Sequence, residues 1–182
     1  MEILKELLPG CFLLRPKVFE DSRGLFVKTF DENKFKELNL DFKMREEFYS
    51  ISNLNVIRGM HFQTPPYDHE KLVYCTQGSA LDVLLDLRVG GGYGESASTI
   101  LSSENKSIVF IPKGVAHGFI SKSDSTLMMY KTTMPHNPES DCGIHWASFG
   151  FNWGVDCPQT SIRDSYHPYF SDFNSPFFSD FP

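Results

Sequence analysis

Apolar positions along this chain come in short blocks. Leu81–Leu87 (LDVLLDL), Thr99–Leu101, Ser107–Ile111 (SIVFI) and Leu127–Thr132 (LMMYKT) are rich in β-formers and too short for ordinary helices. Turn residues stand between them, as in Val89-Gly90-Gly91-Gly92 and Glu104-Asn105. This rhythm predicts an all-β sandwich or barrel. Helical spacing is convincing only over Asp31–Leu38, where Phe35 and Leu38 lie three apart and Asp31 can cap the start. The end of the chain, about 165–182, is rich in Tyr, Phe, Pro, Ser and Asp and predicts irregular structure laid over the domain.

Composition refines the picture without changing it. The 182 residues suffice for one domain, 1–182, with a full core. Aromatics reach 14%, with 17 Phe, which suits pleated surfaces. A net charge of −6 argues against a nucleic-acid partner, which needs a basic face. It leaves room for one basic pocket. The four cysteines, Cys11, Cys75, Cys142 and Cys157, form no C-x-x-C pair. With no signal-like start and no apolar run near the ~18 residues of a membrane span, the expectation is a cytoplasmic protein with free thiols and no membrane partner.

Candidate chemistry begins at Asn55–Gln63 (NVIRGMHFQ). Strict alternation puts Ile57, Gly59, His61 and Gln63 on one face and Arg58, Met60 and Phe62 on the other. A bulge at Gly59 turns Arg58 and His61 toward one cavity. The stretch Pro112-Lys113-Gly114-Val115-Ala116-His117 has the P-x-G-x-x-H pattern of cupin-type barrels, in which the His can ligate a metal. The accompanying H-x-H pair is missing. That leaves His61, His69 and His117 as a metal set opposed by the nearby charge of Lys71. Asp82, Asp86 and Arg88 share strand parity, and parity alone favours a solvated outer face for them. Taken singly, Tyr130 is a packing residue and Arg163-Asp164 an exposed charged turn.

Taken together the segments resemble the dTDP-4-dehydrorhamnose 3,5-epimerase family. The matching pieces are Phe19-x-Asp21-x-Arg23-Gly24-x-Phe26, Asn55–Gln63, Lys71–Arg88, Pro112–Phe119 and Tyr130-Lys131-x-Thr133, in one order from residue 12 to about 165. The resemblance implies a cupin-type double-stranded β-helix, or jelly roll, with a few short helices. It further implies a homodimer, and no metal or organic cofactor. It carries the family's base onto His61, the base's carboxylate onto Asp164, the proton donor onto Tyr130 and the pocket lysine onto Lys71. Substrate contacts fall on Arg23, Arg58, His117, Phe26, Gln63 and Asp82. Such residues fit inversion next to a C4 ketone, where a base removes an acidified proton and an acid returns one to the opposite face.

Departures cluster on the substrate side. Lys28 replaces a pocket Glu, Glu46-Glu47-Phe48-Tyr49 replaces the usual Gln-x-Asn, and Met134-Pro135-His136 replaces paired tyrosines. On that ground the expected substrate is a GDP-linked 4-keto heptose for surface polysaccharide, inverted at C3, C5 or both, with Lys28 and His136 among its contacts. The alternative within the family is dTDP-4-dehydro-6-deoxyglucose of the rhamnose pathway. Outside it stand a metal-dependent cupin and a non-catalytic sugar-binding jelly roll.

Overall fold

The computed structural model describes residues 1–178. Strands follow one another almost without interruption: β1 (Glu2–Leu8), β2 (Cys11–Arg15), β3 (Lys17–Asp21) and β4 (Gly24–Lys28) precede helix α1 (Glu32–Glu37). Then come β5 (Glu46–Ser52), β6 (Ile57–Gln63), β7 (Lys71–Gln77), β8 (Ser79–Asp86) and β9 (Ser96–Ser102). They are followed by β10 (Ile108–Ile111), β11 (Val115–Ser121), β12 (Thr126–Thr132) and β13 (Asp141–Gly143). Helix α2 (Ile162–Ser165) and a 3-10 turn (Phe170–Asp172) lie near the end. The helix read over Asp31–Leu38 is α1, capped by the Asp31 carboxylate, which accepts from the Asn33 and Lys34 amides.

The strands form two facing sheets, ordered β1-β2-β10-β7-β12-β5 and β13-β6-β11-β8-β9, plus the separate hairpin β3-β4. This is the jelly roll expected of the sequence. Alternation then builds three apolar layers. Val73 and Cys75 of β7, Leu84 of β8, Phe119 of β11 and Met128 and Tyr130 of β12 point between the sheets. The opposite residues of the six-stranded sheet, Leu72, Tyr74 and Ile108, meet Phe35, Leu40 and Phe42 from α1 and its following loop. Those of the five-stranded sheet, Val83, Leu85 and Ile120, are covered by Ile144, Trp153 and Phe177. Each fully buried Leu, Ile, Val or Phe contributes about 1.5–3 kcal/mol. From 166 to 178 the chain is irregular apart from the 3-10 turn, as expected there, with Phe173 and Phe177 packed edge-on against Phe62 at ring centroids 5.3 and 5.8 Å, and the rest of the expected irregular end, 179–182, lies outside the described residues.

Two expectations fail here. Asp82, Asp86 and Arg88 do share a face, but it is the inner one, and all three are buried. Burial is tolerated because each is partnered. Asp86 receives Arg88 through Nε at 2.9 Å and Nη2 at 2.5 Å, and Nη2 also donates to the Pro9 carbonyl at 2.7 Å. Strict alternation in β6 fails as well. Opposite β11, His117 pairs with His61 and Phe119 with Arg58, so Gly118 alone faces Gly59 and Met60. The extra residue resets parity: Ile57, Met60 and Phe62 enter the outer layer together. Gly59 is required at the bulge. Its φ is +139°, and a Cβ would stand 2.5 Å from the Gly118 Cα.

Candidate active site

The bulge sends Arg58 and His61 into one cavity between the sheets, of about 510 Å³, a size suited to a small-molecule ligand. Lys71, His117 and Tyr130 line it too, as do Phe48, Ser50, Gln63, His69, His136, Asp141 and Arg163. His61 comes from the five-stranded sheet. Lys71 and Tyr130 come from the six-stranded sheet and face it across the gap.

Behind His61 lies Asp164. Residues after Gln159 are tied to the start of β6 by the Ile57 amide, which donates to the Gln159 carbonyl at 2.9 Å. Ser161 then caps α2, its hydroxyl accepting from the Asp164 amide at 3.0 Å. This buries the carboxylate against the ring: His61 Nε2 stands 2.8 Å from Asp164 Oδ1, and the Gly59 amide donates to Oδ2 at 3.3 Å. Asp164 is thus buried against His61, while Arg163 stays exposed at the cavity's edge. Burial alone raises the Asp164 pKa, but His167, His61 and the Gly59 amide together hold it below the usual carboxylate range. An ionised Asp164 accepts from Nε2–H, which leaves the lone pair of neutral His61 on Nδ1. Burial lowers the His61 pKa; Asp164 opposes that and Lys71 and Arg163 reinforce it.

Lys71 donates to the His61 carbonyl at 3.1 Å. Burial brings its pKa down to about 8, against the pull of Asp141 and Asp82. Tyr130 stacks on Phe48 with centroids 4.8 Å apart and planes at 10°, and meets the His117 ring edge-on at 6.0 Å. Burial pushes its phenol up, so it stays protonated across the working range. His117 is fixed by Asp82, Nε2 to Oδ1, at 2.6 Å. Arg58 donates to Ser52 Oγ at 3.0 Å and to the Ile51 carbonyl at 3.3 Å.

Other expected contacts stand elsewhere. Asp82 lies behind His117 and does not line the cavity. Arg23, Phe26 and Lys28 belong to the β3-β4 hairpin, where Arg23 pairs with Asp21 and Lys28 with Asp31. None of the three lines this chain's own cavity. Gln63 lines the cavity but also staples its loops, accepting from the Asn137 amide at 2.6 Å and donating to the Tyr67 carbonyl at 2.9 Å. His136 is at the rim, 3.0 Å from Asp141, which also takes Arg163 at 2.8 Å.

The three histidines considered for a metal do not converge on one point. His61 is held by Asp164, His117 by Asp82, and His69 stands 3.2 Å from the Gln63 amide. Sequence reading missed His167, whose ring lies edge-on to His61 with centroids 5.6 Å apart. Its spacing of three from Asp164 across a helical turn was the available signal.

Comparison with known proteins agrees with this geometry. A profile of the dTDP-4-dehydrorhamnose 3,5-epimerase family matches residues 5–172. The dTDP-4-dehydrorhamnose 3,5-epimerase of Escherichia coli is 39% identical over 163 residues, covering 88% of this chain and 87% of its own. Among solved structures, the dTDP-6-deoxy-D-glucose-3,5-epimerase of Legionella pneumophila, in complex with dTDP-4-keto-L-rhamnose, superposes with a TM-score of 0.92 at 30% identity, covering 98% of both chains. The dTDP-4-dehydrorhamnose 3,5-epimerase of Bacillus anthracis, with TDP and pyrophosphate bound, gives 0.90 at 30% identity over 92% of this chain and 98% of that one.

Proposed function

The chain belongs to the dTDP-4-dehydrorhamnose 3,5-epimerase family, whose members are isomerases of nucleotide sugars, and on that premise we propose that it inverts C3 and C5 of dTDP-4-dehydro-6-deoxyglucose. The observation that carries the proposal is His61 on one sheet, backed by Asp164 of α2, facing Tyr130 and Lys71 on the other sheet. A C4 ketone acidifies the hydrogens on both neighbouring carbons. His61 Nδ1 removes such a proton, and Asp164 stabilises the imidazolium that forms. Lys71 holds the enolate oxygen, a stabilisation that grows with the negative charge. Tyr130, on the far wall, returns a proton to the opposite face.

A GDP-linked heptose, expected from the departures on the substrate side, gains no support. The relatives above are named for thymidine-linked sugars, and Lys28 lies away from the cavity. The alternative within the family is the better reading.

The hairpin bears on assembly. Val18, Phe19, Leu25 and Phe26 are all exposed on it, an apolar surface that a second copy can cover. A homodimer that lays this hairpin over the neighbour's cavity reconciles two facts: Arg23 and Phe26 match substrate contacts, yet they stand outside their own chain's cavity.

The test is exchange in deuterated water with dTDP-4-dehydro-6-deoxyglucose and its GDP counterpart. Deuterium is expected at C3 and C5 of the thymidine substrate, and His61→Asn should lower the rate at least ~10²-fold. Exchange undiminished in that variant removes His61 from the mechanism, and exchange confined to the GDP sugar overturns the nucleotide.

A further inference from the structure

His167 is not used by the reaction just described, and its position needs explaining. Its side chain is 10% exposed, its Nε2 is buried with no hydrogen-bond partner among the described residues, and that atom stands 3.6 Å from Asp164 Oδ1. A buried imidazole nitrogen with no partner is costly. The ring also occupies prepared space. A Cβ on Gly143 would stand 2.4 Å from Nε2, and Gly143 is the strand partner of His61. Only glycine there lets the second imidazole close on the first.

We propose that His61, Asp164 and His167 form a binding site for a divalent ion of the zinc class, which switches the enzyme off by taking its base. The donor atoms of the three side chains all lie within 4.8 Å of one another. Zinc held tetrahedrally at about 2.0–2.1 Å sets its ligand atoms about 3.3 Å apart. The observed 2.8 Å from His61 to Asp164 and 3.6 Å from His167 to Asp164 bracket that spacing. Two imidazoles and one carboxylate are a donor set zinc accepts, with the fourth position left for water. His61 is 31% exposed in the cavity and gives the ion its way in. The surrounding charge is mixed: Lys71 opposes a cation, Arg163 is paired with Asp141, and Asp164 supplies a negative charge directly at the site.

Inhibition follows from the tautomer. A neutral imidazole carries one proton. With a metal on Nε2 that proton must sit on Nδ1, so the nitrogen facing the substrate becomes an N–H and ceases to be a base. The ion does this without entering the space the sugar occupies, so kcat falls more than KM rises.

Calorimetric titration of the purified protein with zinc, followed by cobalt(II) absorption, tests the site without any turnover and so independently of which sugar is the substrate. The expected result is one ion per chain, a tetrahedral cobalt spectrum, and loss of kcat over the same buffered free-zinc range. His167→Gln should weaken binding by about tenfold or more, while His136→Gln, at the other histidine–carboxylate pair, should not. Absence of saturable binding in the wild-type protein overturns the proposal whatever the variants do. Binding that survives His167→Gln, or that is lost in His136→Gln instead, overturns it as well.

Discussion

Lys71 carries the clearest pH signature. In the proposed mechanism it must be charged to hold an enolate, and burial brings its pKa down to about 8. His61 must be neutral to act, and burial sets its pKa below the ordinary histidine value. Activity should therefore rise through the His61 pKa, hold through neutrality, and fall above about pH 8. Tyr130 adds no alkaline limb, because its raised phenol stays protonated. Lys71→Arg should move the alkaline limb upward, since a guanidinium keeps its charge, and Lys71→Met should cost about 10²–10³-fold in kcat. An alkaline limb unmoved in Lys71→Arg would assign it to another group. Phe48 is the second residue of interest. Its ring fixes that of Tyr130, and losing such a stack costs on the order of 1 kcal/mol. Phe48→Ala should slow reprotonation roughly fivefold while proton removal proceeds, so single-turnover deuterium wash-in outpaces product formation.

At the scale of elements, β6 decides the site. Gly59→Ala forces a Cβ into Gly118 and demands a strained φ, so a loss of about 3 kcal/mol is expected, read as a melting temperature lower by about 6–12 °C. The Asp86–Arg88 pair offers a contrast, being buried but remote from the chemistry. Arg88→Met leaves a lone buried carboxylate and should cost about 3–5 kcal/mol in urea unfolding, with kcat of the folded enzyme hardly changed.

These same elements show what the chain discloses by itself. Short apolar blocks and turn residues disclosed β8, β9, β10 and β12, and Asp31 announced α1, whereas β1, β2 and β5 did not stand out. The Gly59 bulge was visible because glycine in a strand has few other reasons. Face assignment was harder. Asp82 and Asp86 look like outer residues by composition, and only long-range partners, His117 and the Arg88 fork, make an inner position tolerable. His167 was missed for a related reason: its spacing from Asp164 is a weak signal, and Gly143, which admits its ring, is 24 residues away and says nothing alone.

For the whole molecule, the proposed dimer makes a distinct prediction. If Arg23 serves the neighbouring cavity, Arg23→Ala and His61→Asn chains should each be inactive alone. Co-expressed as mixed dimers, they should recover activity, because one cavity then has both groups. Light scattering checks the assembly, and mixed dimers as dead as their parents would refute the sharing.

The proposed base and acid belong to different sheets, and beside the cavity those sheets are spaced by a shared apolar layer. The interior therefore works as a caliper set by Val73, Leu84 and Met128. Changing its thickness changes how far His61 stands from Tyr130 without touching either. Leu84→Val or Met128→Leu should alter the ratio of singly to doubly inverted sugar before they alter substrate affinity. The stereochemical outcome of this enzyme is, on that view, a property of its core.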